Sequence, residues 1–323
     1  MEAPEREGGL IQELTHQQYR QAARTARYRH VVFRGSTRRP AVNLAPPPSP
    51  SLDIDTPRPG DRPPHLSGEE RRFITWLFEQ GGLDARAYRD ETLRRRIPAC
   101  LRAVRAGSIA EARLILQQDR AAIAFALNAM VIGVTGFFRD ATVFDHLTYT
   151  VLPALPRIGG PARVWSAGCS DGEETYSLAM LLAEMDLLGG SYLLGTDCRT
   201  EAIARARAGR YQQRVLRDVP VSWQAKYFEP GGPSFVRVRA ELRGAVQWRH
   251  GDLTRLREPG TWDLILCRNL TMYFRPNVAA RLWSALEDAL RPGGFLVLGK
   301  AERPIGASRL GMVAPCIYRR DRA

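Results

Sequence analysis

Two hydrophobic rhythms divide the chain. In SGEERRFITWLFEQ the apolar positions Phe73, Trp76, Leu77 and Phe78 fall at helical spacing. In DARAYRDETLRRRIPACLRAVRAG they are Tyr88, Leu93, Ile97 and Leu101. Both match the 3.6-residue period of amphipathic helices. Ser67 followed by acids reads as a capped helix start, and SIAEARLILQQDRAAIAFALNAMVI continues the helical texture. Further on, short apolar runs (ARVWSAG, SYLLGTD, GAVQWRHGD, WDLILCRN and GGFLVLG) each end in a glycine or polar turn. Helical stretches such as EETYSLAMLLAEM, TEAIARARAG and NVAARLWSALEDALRPG separate several of them. That alternation predicts an α/β architecture with a mainly parallel, doubly wound sheet. A stretch over about residues 212–246 interrupts the alternation and predicts a small inserted β subdomain. Ahead of both regions, LIQELTHQQYRQAARTARYRHVVF has helical character, but the proline-rich run that follows removes backbone donors and favours extended chain. The expected organisation is a basic, Pro-rich, partly disordered extension over 1–66, an all-helical domain over 67–145 and a sheet domain over 146–323.

Composition narrows the class. With 323 residues, 44% hydrophobic and 25% charged, the chain has the make-up of an ordinary globular protein with one large core or two modest ones. No apolar run approaches the roughly 20 residues that span a bilayer. MEAPEREGGL carries acids and no apolar centre, unlike a secretory signal, so a cytoplasmic location is expected. The five cysteines (100, 169, 198, 267 and 316) and five histidines (16, 30, 65, 146 and 250) are scattered without ligand spacing, and neither a metal site nor a disulfide framework is expected. The formal charge of +13 comes almost wholly from arginine, Lys226 and Lys300 being the only lysines. Such a chain attracts anionic surfaces, and charge alone does not choose among them. Arg94, Arg95, Arg96, Arg102 and Arg105 read equally as a solvated helix face or as a docking surface for an acidic partner.

The candidate chemistry lies at strand ends, where open parallel sheets bind ligands. Four such ends carry polar groups: the Gly168–Gly172 turn of VWSAGCSDGEETYSLAMLL, Asp197, Asp252 and Asn269. The turn is G-x-x-x-G. It has neither the spacing and lysine of a phosphate loop nor the G-x-G-x-x-G of a dinucleotide fingerprint. Asp171, Glu173 and Glu174 beside it would repel a pyrophosphate. A ligand with positive charge and hydroxyls suits the acids better, and S-adenosyl-L-methionine (SAM) has a sulfonium, an ammonium and a ribose diol. Asp197 is placed to accept both ribose hydroxyls, and Asp252 to accept from the adenine amino group. Any one of these acids alone reads as well as a cap or turn former.

GVTGFFRDATVF, VWSAGCSDGEETYSLAMLL, CRNLTMYF and LRPGGFLVLG, in this order along the chain, resemble the signature segments of the CheR-type chemoreceptor methyltransferases. The resemblance runs from about Phe73 to about Glu302. It implies a class I SAM-dependent methyltransferase sheet behind a helical domain, with the β insert. It implies that Thr135, Arg139, Gly168, Glu174, Asp197, Asp252, Leu253, Asn269 and Leu270 bind SAM, and that Arg139 and Tyr273 flank the transferring methyl as catalytic residues. The implied reaction is O-methylation of glutamate side chains on a chemoreceptor or related signalling protein, with S-adenosyl-L-homocysteine as product. The arginine-rich helix would dock the receptor's acidic helical region, recruiting the protein to membrane receptor arrays. Departures from the family pattern are Gly133 for a usual asparagine, Asp252 for another, GKAER for Gly-His-Ser-Glu, and the short EPGGPS loop. A methyltransferase for another carboxylate substrate, or a SAM-binding regulatory module without catalysis, are the alternatives. The absence of a Pro-Pro-Tyr-type base-flipping motif or an RNA-binding signature argues against nucleic acid.

Overall fold

In the computed structural model, which describes residues 65–158, 161–255, 258, 261–307 and 309–321, Ser67 opens the helix Gly68–Gln80 with a complete capping box. Glu70 N donates to Ser67 Oγ, and Ser67 N donates to the Glu70 carboxylate, which satisfies two otherwise orphaned amides. The extension expected over 1–66 lies, but for its last two residues, outside the described residues. Three more helices follow, Asp90–Ala103, Ile109–Gln118 and Ala121–Met130, and the last packs against the other three. Phe73, Ile74, Leu77, Phe78, Leu93, Ile97 and Leu116 are buried between them. Leu101, expected inward, is only half-buried, and the neighbouring Cys100 is fully buried. Arg96 also departs from its expected place on a free basic face. Its Nε and Nη2 donate to Ala129 O at 2.8 and 2.6 Å, holding a carbonyl that the end of a helix would leave unpaired.

The strands in chain order are β1 Arg163–Ala167, β2 Tyr192–Asp197, β3 Arg210–Gln212, β4 Phe228–Pro230, β5 Phe235–Val238, β6 Val246–His250, β7 Trp262–Cys267, β8 Leu290–Leu298, β9 Leu310–Ala314 and β10 Ile317–Arg320. Seven form one sheet in the order β6-β2-β1-β7-β8-β10-β9. β6, β2, β1, β7 and β8 run parallel, while β10 is antiparallel to both its neighbours. Every residue of β7 is buried, as a strand covered by helices on both faces should be. The order reverses between β1 and β7, so a crevice opens beyond their carboxyl ends. This is the α/β fold of a class I methyltransferase.

The other three strands form an antiparallel sheet, β3-β5-β4, inserted between the helix Thr200–Ala208 and β6. Its buried Tyr211 and Phe228 both pack edge-on against Phe137, with ring centroids 5.1 and 5.3 Å apart. The insert is thereby fastened to the segment that walls the crevice. All five cysteines are free. No described helix is long and apolar enough to cross a membrane.

Candidate active site

The turn after β1 is shaped by three left-handed residues, Gly168 (φ 81°), Ser170 (φ 53°) and Gly172 (φ 97°). Gly168 N and Cys169 N both donate to Thr196 O, at 2.8 and 2.9 Å, lashing the turn to the end of β2. A Cβ on Gly172 would meet Ala206 Cβ and Trp248 Cη2 at 2.8 Å, so both φ and space require glycine there. The helix Glu173–Glu184 follows directly.

The three acids of the turn do not act together, contrary to expectation. Only Glu174 lines the crevice. Asp171 is gripped by Arg205, whose Nε and Nη2 donate to its two oxygens at 3.0 and 2.8 Å. Glu173 is buried with Oε2 unpaired. Successive helical residues point about 100° apart, so neighbours in sequence face different surroundings. Burial pushes the Glu173 carboxyl up to about 7, with Asp171 adding to the rise and Arg205 and Arg199 opposing it. Because the folded state holds this proton more tightly, stability is full below about pH 4.5 and falls as pH rises toward 7. Glu173→Gln is therefore expected to raise the melting temperature at pH 8 and to leave it nearly unchanged at pH 4.5. The gain at pH 8 corresponds to about 3 kcal/mol at most. An equal difference at both pH values in a thermal scan would show that the carboxyl is not strained.

Thr135 and Arg139, Gly168 and Glu174, Asp197, Asp252 and Leu253, and Asn269, Leu270 and Tyr273 all line one cleft. With its open mouth included, the cleft holds about 790 Å³, within the range of small-molecule sites. Its floor is the ends of β1, β2 and β7, and the segment Val131–Gly136 forms a wall. The loop after β7 is stitched to the helical region: Arg89 N donates to Tyr273 O at 3.0 Å and Arg275 N to Ala87 O at 2.9 Å.

The charged groups of the cleft differ in how far they are engaged. Glu174 accepts from Ser166 Oγ at 2.9 Å and from Arg268 Nη1 at 3.1 Å. Arg268 is buried, and its Nη2 also donates to Asp140 Oδ2 at 2.7 Å and Arg139 O at 2.9 Å. It thus joins three pieces of chain around the site. Asp197 Oδ1 accepts from both Arg199 N and Arg199 Nε at 3.0 Å, and Oδ2 from Ser170 N at 2.9 Å. A carboxylate offers about four acceptor positions, so Asp197 has room for one hydroxyl rather than the two expected. Asp252 Oδ1 accepts from Thr254 N and Oγ1, while its Oδ2 is buried without a partner. The Arg139 side chain makes a single hydrogen bond among the described residues, from Nη1 to Val134 O at 2.6 Å, and forms no ion pair among them.

Glu302 organises the loop after β7. Its Oε1 accepts from Leu270 N, Thr271 N and Thr271 Oγ1, and its Oε2 from Asn269 N and Gly299 N, all between 2.7 and 2.9 Å. Asn269 is held at φ 56°, a conformation asparagine tolerates better than most residues. Arg199, Arg268 and Glu302 were not among the residues expected at the site. Arg268 stands inside the CRNLTMYF segment, but its partners Glu174 and Asp140 are far away in sequence. Nothing in the spacing of Glu302 announces five donors. Among the described residues, no group of three or more His, Cys, Asp or Glu is placed to hold a metal ion.

Comparison with known proteins gives the cleft a family. Residues 133–310 match the model of the CheR methyltransferase SAM-binding domain. A chemotaxis protein methyltransferase of Listeria innocua is 31% identical over 251 residues, covering 77% of this chain and 95% of that protein. Chemotaxis protein methyltransferase 1 of Pseudomonas aeruginosa is 32% identical over 186 residues, 54% of this chain and 68% of its own length. An uncharacterized 104.1 kDa protein of Rhodobacter capsulatus is 30% identical over 238 residues, 72% of this chain, and there the chain spans 25% of the relative. The donor set fits SAM: the orphaned, buried Asp252 Oδ2 is an acceptor without a donor, and the adenine amino group is a donor. SAM is the cofactor of this domain, and the chain belongs to the CheR methyltransferase family.

Proposed function

We propose that this protein methylates glutamate side-chain carboxylates on a chemoreceptor or a related signalling protein. The state of Arg139 carries this reading. Arg199 and Arg268 are tied to acids within the fold, whereas Arg139, at the cleft, bonds only a backbone carbonyl of its own loop. Its guanidinium is thus available to an incoming carboxylate, which it can grip through paired hydrogen bonds. Tyr273, half-buried and lining the same cleft, would supply a phenolic donor.

Asp252 would accept from the adenine amino group and Asp197 from one ribose hydroxyl. Gly168, Glu174, Leu253, Asn269, Leu270 and Thr135 would complete the pocket. Bound SAM supplies an electrophilic methyl on a sulfonium that leaves as a neutral thioether. A glutamate is already ionised near neutral pH, so these residues need not provide a strong base. Their task is to orient the carboxylate and keep water out. On the helix Asp90–Ala103 and just beyond it, Arg94, Arg95, Arg102 and Arg105 are exposed. Arg95 pairs with Glu91 at the surface and Arg94 lies 3.6 Å from Glu70, a loose contact, and an acidic helix could replace pairs of this kind at little cost. The relatives named chemotaxis protein methyltransferases support chemotaxis as the setting.

The test is transfer from methyl-labelled SAM into membranes bearing chemoreceptors, followed by mild alkali. Release of labelled methanol is expected. Binding of SAM with no label transferred would instead favour a different carboxylate substrate or a regulatory module.

A further inference from the structure

A guanidinium is an odd neighbour for a cationic cofactor, yet Arg199 is buried directly behind Asp197, with only 7% of its side chain exposed. It lies where another residue's side chain would be. Gly133, in the wall of the cleft, is not in the left-handed region, so its backbone makes no demand for glycine. What excludes a side chain is Arg199: a Cβ on residue 133 would sit 2.1 Å from Nη1, 2.2 Å from Nη2 and 2.3 Å from Cζ. From that place the guanidinium closes a ring of contacts. Nε donates to Asp197 Oδ1 at 3.0 Å and Nη2 to Ser170 Oγ at 2.8 Å, while Ser170 Oγ donates to Gly133 O at 3.0 Å.

We propose that Gly133 and Arg199 form one positioning unit, in which the glycine makes room for a guanidinium that orients Asp197 toward the cofactor's ribose. Arg199 saturates Oδ1 and balances the carboxylate's charge. Asp197 then meets the ligand through Oδ2, as an acceptor for a neutral hydroxyl rather than as a bare anion. Ser170 ties the same unit to the wall, so the width of the cleft and the aim of Asp197 are set together. The inference rests on the reading that Asp197 holds the ribose.

A mutant cycle on SAM affinity tests it, by calorimetry on the full chain with melting temperatures measured alongside. Arg199→Ala is expected to weaken SAM binding roughly ten-fold, the scale of a lost charge-assisted hydrogen bond. Gly133→Ala should weaken it comparably, because the added methyl evicts the guanidinium. The double variant should bind no more weakly than Arg199→Ala, since there the methyl has nothing left to displace. Losses that multiply, or a Gly133→Ala variant that binds SAM as tightly as the parent, would overturn the proposal. Gly133→Ala keeps the test decisive should Arg199→Ala fail to fold. Asp197→Ala separates the two readings. If it binds SAM unimpaired, the ribose assignment fails and the inference with it. If it weakens binding while Gly133→Ala does not, the inference alone fails.

Discussion

Arg139→Ala is expected to lower methyl transfer by roughly a hundred- to a thousand-fold, the usual loss when one electrostatic donor to a reacting group is removed. The fold should not suffer. The side chain is part-exposed and its one hydrogen bond runs to Val134 O, five residues earlier in its own loop, so stability should move by about 0.5 kcal/mol or less. Arg139→Lys keeps the charge but loses the planar fork that matches a carboxylate, and should recover only part of the rate. Initial rates at saturating SAM, with melting curves of the same preparations, check both statements. Near-parental transfer by Arg139→Ala would remove the residue from the reaction.

Glu302→Ala should have the largest effect on stability. Glu302 is 3% exposed, and its carboxylate accepts four backbone N–H groups and one hydroxyl. Without it these donors are buried and unpaired, at about 1–3 kcal/mol each before relaxation and water entry. A net loss of about 3–5 kcal/mol follows, comparable with breaking a buried ion pair, and the melting temperature should fall by roughly 10 °C. Glu302→Gln discriminates further. It is nearly isosteric, but its amide nitrogen would face backbone N–H groups rather than accept from them. Even if folded, that variant should bind SAM more weakly, because Asn269 and Leu270 line the cleft from the loop that Glu302 holds. Scanning calorimetry and SAM titration of both variants would show it. Unchanged melting would mean that the loop is held by other contacts.

The architecture was readable wherever local pattern and burial agree. The capping box at Ser67, the stripe from Phe73 to Phe78 and the five parallel strands each have a period or a boundary residue that speaks for itself. The antiparallel pair β9 and β10 was not read. β9 is mostly exposed and lies at the sheet edge, and β10 is short and half polar, so neither shows a clean alternation. At the site, the residues at strand ends could be named because a parallel sheet brings its carboxyl ends together. Their engagement could not. Asp171 and Glu174 lie three residues apart, yet one is gripped by Arg205 away from the cleft and the other is held at the cleft by Arg268, partners 34 and 94 positions away. Arg96 shows the same limit in the helical region, where an arginine on a basic face is occupied by the carbonyl of Ala129. Long-range ion pairs leave no periodic trace, so charge read from sequence overstates what a cleft or a surface has free.

The position of the transferred methyl is the measurement to make first. Chemoreceptor incubated with the full chain and SAM, then digested for peptide mass spectrometry, should gain single methyl groups on glutamate residues of its acidic helices, and mild base should remove them. Methyl groups on nitrogen or sulfur, stable to base, would contradict transfer to a carboxylate gripped by Arg139.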